Sequence, residues 1–181
     1  MRLFVGLSLP SDLRTGLAHL KGGLPGARWI DEDNLHMSLR FIGDVTGGDE
    51  HDIDLALQSV TGAPFEVTLS GLGTFDRRGR VHSVWAGIEK NEALSALRDR
   101  IESALVRTGR EPEHRKFTPH ITLARMKNGS AEAVAAYLES HAGFTAPAVL
   151  VETVTLFESH LSHTGAQYSV LRDYPLQGQG K

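Results

Sequence analysis

His36-Met37-Ser38-Leu39 and His120-Ile121-Thr122-Leu123 share one pattern: histidine, apolar residue, hydroxyl residue, leucine. The first lies in an apolar-rich run, residues 35–42, that stops at Gly43. The second opens a run from Pro119 to about Met126. Both runs have strand length and composition. Strand side chains alternate between faces, so His36 and Ser38 point one way while Met37 and Leu39 point the other. His120 and Thr122 are likewise set against Ile121 and Leu123. Each strand therefore offers an imidazole and a hydroxyl to one surface and apolar groups to the opposite one.

Two arginines sit beside these motifs. Arg40 shares parity with His36 and Ser38, so a regular strand turns it toward the same surface; a rim or salt-bridge position is the alternative. Arg125 has the opposite parity to His120. A regular strand would send it to the apolar face, where an unpaired charge is costly. The strand must therefore end or bulge near Ala124, or Arg125 must lie at its end in solvent.

Working outward, residues 2–8 read as a first strand. A helix starts at Ser11-Asp12, with Leu13, Leu17 and Leu20 at helical spacing. Residues 49–60 repeat that spacing through Ile53, Leu57 and Val60. Phe65–Leu72 and Val81–Ile88 read as strands around the turn Asp76-Arg77-Arg78-Gly79. Residues 91–108 carry the clearest helical stripe, Leu94, Leu97, Ile101, Ala104 and Leu105, ended by Gly109. Ser130 caps a helix running through Leu138. Residues 148–157 and 167–172 read as the last strands, and 176–181 as a frayed tail. Strands and helices mix without regular alternation, which predicts an α+β fold. No linker-like segment divides residues 1–181, so one domain is expected.

Composition limits the functions available. With 40% apolar and 23% charged residues the chain can bury an ordinary core. It has no cysteine, which removes thiolate nucleophiles, disulfides and Cys-based zinc sites and fits a cytoplasmic protein. The apolar N-terminal stretch stops at Pro10, too short to span a membrane, and it lacks a cleavage site. A net charge of −3 excludes a globally basic surface for coating nucleic acid. Local charge around Arg77-Arg78-Gly79-Arg80 or Arg107, Arg110, Arg115 and Lys116 reads first as solvated surface.

Two imidazoles flanked by hydroxyls suit phosphate chemistry. Opening a phosphodiester needs a base to deprotonate the nucleophile and an acid to protonate the leaving oxygen, on opposite sides of phosphorus. Histidine performs either task near neutral pH. Hydroxyls of Ser38 and Thr122 can donate to the non-bridging oxygens. The two motifs are nearly symmetrical, so their residues do not say which histidine is acid and which is base. His19, His51, His82, His114 and His141 have no partner pattern and read as surface or packing residues. His160 and His163 lack a third metal ligand at recognisable spacing, and no metal site is read there.

At this point the sequence resembles the two-histidine phosphoesterases, specifically the RNA 2′,3′-cyclic phosphodiesterases or 2′-5′ RNA ligase-like proteins, which carry two His-x-Thr/Ser-x motifs. The likeness spans Arg2–Leu7, Trp29 with Asn34–Gly43, Gly73-Thr74-Phe75 with Arg80–Gly87, Phe117–Arg125, and Leu156–Ser159 through Tyr168. Ser38 stands where threonine is usual, keeping the hydroxyl but losing the methyl that stiffens χ1. The resemblance implies two pseudo-symmetric lobes whose antiparallel sheets face a central groove, with helices outside. It implies metal- and cofactor-free hydrolysis of RNA 2′,3′-cyclic ends to 2′-phosphates, with His36 as proton donor and His120 as proton acceptor. Ser38, Thr122, Arg40 and Arg125 would bind the phosphate. Phe41, Trp85 and Tyr168 suit base stacking or, more readily, packing. Expected partners are RNA ends, tRNA fragments among them, met by a monomer. Rival readings are 2′-5′ joining of tRNA halves, hydrolysis of a small cyclic nucleotide, and a non-catalytic RNA-binding module.

Overall fold

The computed structural model describes residues 1–178. Strand β1 (Arg2–Ser8) buries its five central residues. Helix α1 (Ser11–Ala18) buries Leu13 and Leu17, as their spacing predicts, and Leu20 is buried just beyond its end. A short strand β2 (Ala27–Trp29) and one 3-10 turn, Glu32–Asn34, lead into the first motif strand, β3 (His36–Asp44). Helix α2 (Gly47–Gln58) begins two residues before its expected start, because Thr46 and Asp49 form a capping box.

The expected strand 65–72 divides at Thr68. Its first part, β4 (Phe65–Val67), pairs with β8 (Val149–Val151) in a separate two-stranded sheet. Its second part, β5 (Leu69–Arg77), pairs with β6 (Arg80–Ile88). The turn between β5 and β6 is tighter than expected: Arg78 and Gly79 take φ of 53° and 75°, the left-handed pair that matches hairpin twist. Helix α3 (Glu92–Arg107) is capped by Asn91 and buries the full predicted stripe. The second motif strand, β7 (His120–Gly129), runs into α4 (Ala131–Ser140), capped by Ser130. A long hairpin, β9 (Thr153–Ser162) and β10 (Gly165–Pro175), closes the chain.

Two antiparallel four-stranded sheets result, ordered β10-β9-β1-β3 and β2-β7-β6-β5. Each contains one motif strand, as the α+β two-lobed expectation requires. The odd-parity residues Met37, Leu39, Ile121 and Leu123 enter a common core with Leu3, Val5 and Leu7 of β1 and the stripes of α1, α2 and α3. Burying both motif strands by one face leaves their histidine faces for the groove. A second cluster, Val81, Val84, Met126, Val134 and Tyr137, seats α4 on the second sheet.

Leu176, expected in a frayed tail, is buried instead, and its N–H donates to the Glu152 carbonyl at 2.7 Å. Residues 179–181 lie outside the described residues. Among those described, no helix is long and apolar enough to cross a membrane.

Candidate active site

The motif strands carry matching irregularities. Along β1, Val5 pairs with Arg40 and Gly6 with Ser38, so Leu39 is an extra residue in β3. Along β6, Val84 pairs with Ala124 and Trp85 with Thr122, so Leu123 is an extra residue in β7. Both are β-bulges three residues after the histidine, and each reverses the inward–outward alternation. Beyond the bulges Arg40 and Ala124 turn into the protein, while Phe41 and Arg125 turn out.

This reverses the expectation for Arg40 and selects the bulged alternative for Arg125. Arg40 is 7% exposed. Its Nε donates to Glu102, and its Nη atoms to the carbonyls of Phe41 and Glu111. The guanidinium is consumed in tying β3 to α3 and the segment after it, which is the salt-bridge alternative. Arg125 stays exposed on the face of His120 and Thr122, close enough to depress the protonation of both histidines.

Both imidazoles are held the same way. A carbonyl two residues upstream accepts from each Nδ1: Asn34 for His36 at 2.7 Å and Thr118 for His120 at 2.6 Å. A carbonyl can only accept, so Nδ1 carries a proton and Nε2 is left as the working nitrogen. His36 Nε2 lies 2.9 Å from the Ser38 hydroxyl. Asn34 is itself buried, its side-chain amide donating to the Ala166 carbonyl of β10 at 3.1 Å.

Aromatic rings fix the imidazoles from the sides. Phe4 and Tyr168 lie 4.9 Å from the His36 ring, with Phe157 at 5.7 Å. Phe75 meets His120 edge-on at 4.9 Å, and Trp85 stands at 5.8 Å. Trp85 and Tyr168 therefore pack on the histidines. Phe41, 43% exposed, remains open to the cleft. Trp85 lies over Gly73, its cross-strand partner, where a Cβ would fall 2.3 Å from the indole.

Burial is the main cause of a His36 pKa below the ordinary value. The nearby positive charges of Arg125 and His120 add to it, and the hydrogen bond to Asn34 partly opposes it. For His120 burial again leads and Arg125 adds, against the Thr118 hydrogen bond. Both imidazoles are thus held mainly neutral near pH 7 in the free protein.

Openings flank the pair. A cleft of about 450 Å³ is lined by Ser38, Phe41, Phe75, Lys116 and His120. A second, of about 240 Å³, adjoins His36 with Phe157 and Tyr168. The cavity of about 300 Å³ beneath Met37 and Ile121 lies on the far face of the motif strands, away from both imidazoles. His160 stands apart from the site, 3.5 Å from Glu158. Sequence reasoning missed the orienting carbonyls of Asn34 and Thr118 and the rings of Phe4, Phe75 and Phe157. A backbone acceptor has no signature of its own, and the rings meet the histidines only through strand pairing.

Two mainly neutral imidazoles presented by mirrored strands, with hydroxyls beside them and an arginine at the edge, make an arrangement able to take up one proton and give another, on an α+β scaffold. The sequence model of the 2′-5′ RNA ligase superfamily matches residues 9–162, and the chain belongs to that superfamily. An RNA 2′,3′-cyclic phosphodiesterase of Aeropyrum pernix is 32% identical over 93% of this chain and 96% of its own. One of Geobacillus stearothermophilus is 30% identical over 97% of this chain, which spans 57% of that relative's length. Among solved structures, Escherichia coli LigT complexed with 3′-AMP superposes with a TM-score of 0.80 at 27% identity, covering 97% of each chain.

Proposed function

We propose that this protein hydrolyses RNA 2′,3′-cyclic phosphate ends to 2′-phosphates, with His120 as base and His36 as acid. The observation that carries the reading is the pair of identically tethered imidazoles, each with Nδ1 on a backbone carbonyl and Nε2 left to work. Relatives named RNA 2′,3′-cyclic phosphodiesterase support the substrate class. The direction of proton flow follows the family resemblance.

In the proposed step His120 Nε2 takes a proton from water, whose oxygen attacks phosphorus in line with the P–O3′ bond. That bond breaks, and His36 Nε2 gives its proton to O3′. The bound phosphate supplies the negative charge that the free site lacks. Its arrival favours the protonated imidazole and lets the acid load. Ser38, Thr122 and Arg125 hold the non-bridging oxygens, while Arg40 serves the scaffold. The substrates are RNA ends, tRNA fragments among them, handled by a single cytoplasmic chain.

The test is metal-stripped protein incubated with a short RNA ending in a 2′,3′-cyclic phosphate, with products separated by phosphate position. The 2′-phosphate should form, and His36→Ala and His120→Ala should each lose it by at least about 10²-fold. Formation of the 3′-phosphate would mean that the P–O2′ bond breaks instead and would overturn O3′ as the leaving oxygen. Tight binding without product would leave a binding module.

A further inference from the structure

Strand β2 was invisible in the sequence, and it sets Arg28 directly opposite Arg125 on β7. Paired residues of neighbouring strands share a face, so both guanidinium groups rise on the face of His120 and Thr122. Like charges directly opposite destabilise a sheet unless something neutralises them. Among the described residues neither arginine has an ion-pair partner. Asp31 lines the same pocket without reaching ion-pair distance of either.

The pocket between them holds about 170 Å³ and joins the two lobes. Arg28 reaches across to the β9–β10 turn: a Cβ on Gly165 would lie 3.9 Å from its Nη2. Asn34 and Tyr168 complete the wall, and both also hold His36, through the Asn34 carbonyl and the edge of the Tyr168 ring. The pocket therefore shares Asn34 and Tyr168 with the surroundings of His36 and borders that end of the site.

Ribose connectivity says what should arrive there. If His36 protonates O3′, then C3′ lies toward His36. The next ring atom, C4′, carries C5′ and the phosphate that links the terminal nucleotide to the rest of the RNA. The base leaves from C1′, beyond C2′, on the opposite side of the ring. We propose that Arg28 forms a second anion subsite for this upstream phosphodiester, beside Arg125 at the cyclic phosphate, so that the protein prefers polynucleotide ends to free nucleoside 2′,3′-cyclic phosphates. The inference rests on the catalytic reading above and deepens it. The planar guanidinium fork of Arg28 suits a phosphate with two free oxygens.

The test compares uridine 2′,3′-cyclic phosphate with its 5′-phosphorylated form. The wild-type protein should favour the 5′-phosphorylated substrate in kcat/KM by about tenfold, mostly through KM, consistent with one charge-assisted contact. Raised salt should shrink that ratio. Arg28→Gln should bring the ratio to near one, and Arg28→Lys, which keeps the charge but not the fork, should fall between. A wild-type ratio near one, or a ratio unchanged in Arg28→Gln, would overturn the subsite. Calorimetric titration with uridine 2′-phosphate and uridine 2′,5′-bisphosphate needs no turnover. Tighter bisphosphate binding that depends on Arg28 supports the subsite even if neither cyclic compound is cleaved, an outcome that would sink the catalytic reading alone. Equal binding of the two sinks the subsite.

Discussion

Glu102→Ala separates a structural Arg40 from a phosphate-binding one. Arg40 Nε lies 2.5 Å from Glu102 Oε2, with the two side chains only 7% and 15% exposed. The other Glu102 oxygen accepts from the Glu113 N–H at 2.8 Å. Burial pushes the Glu102 carboxyl up, yet the Arg40 and Glu113 hydrogen bonds with the charges of Arg40 and Arg98 carry it below the usual range. Removing one member of a buried pair costs about 3–5 kcal/mol, because the other charge is left without compensation. Glu102 keeps some solvent contact, so the lower end applies, about 3 kcal/mol. For a chain of this size that is a fall in Tm of roughly 6–12 °C. The double variant Arg40→Met/Glu102→Leu removes both charges and orphans the Phe41 and Glu111 carbonyls and the Glu113 N–H. It should cost about 1–2 kcal/mol, less than the single change. Urea denaturation gives both values. Turnover of a cyclic-phosphate RNA by the double variant, assayed well below its Tm, should stay within about threefold of wild type, well under the 1.4 kcal/mol that a tenfold loss represents. A stability loss below 1 kcal/mol in Glu102→Ala would refute the ion-pair argument. A folded double variant crippled by 10²-fold or more would return Arg40 to the phosphate.

Further expectations concern the site itself. Both imidazoles titrate below the ordinary histidine value, so the kcat/KM profile should be a bell centred on the acid side of about 6.5. Arg125→Gln removes a positive charge that lowers both, so the whole bell should move to higher pH; an unmoved or acid-shifted profile would break the link. Ser38→Ala should cut kcat by about 10²-fold, while Ser38→Thr, which restores the hydroxyl with a stiffer χ1, should keep or raise it. Gly73→Ala places a Cβ where the Trp85 ring lies and must displace the indole from its place beside His120. It should cost about 1–3 kcal/mol, seen as a lower Tm, together with a drop in kcat.

The two His-x-hydroxyl-Leu motifs were legible because period-two alternation is a local property: Met37, Leu39, Ile121 and Leu123 had to be buried if His36 and His120 faced outward. The α3 stripe was equally local, since Leu94, Leu97, Ile101 and Leu105 share a face of any helix through them. The family and its α+β lobes followed from those blocks. The destinations of Arg40, Phe41 and Arg125 did not. They depend on bulges at Leu39 and Leu123, and a bulge is a relation between two strands, set here by how β3 meets β1 and β7 meets β6. The parity rule therefore held through the fourth residue of each motif and failed at the next position, Arg40 and Ala124. Strand β2 was silent for a related reason: three residues carry too little pattern to be read, and only pairing with β7 makes them a strand and sets Arg28 against Arg125. The sequence by itself determined which residues could do the chemistry and which face they would share. Tertiary pairing alone decided which arginine reaches the groove, because register is a property of two chain segments and is written in neither.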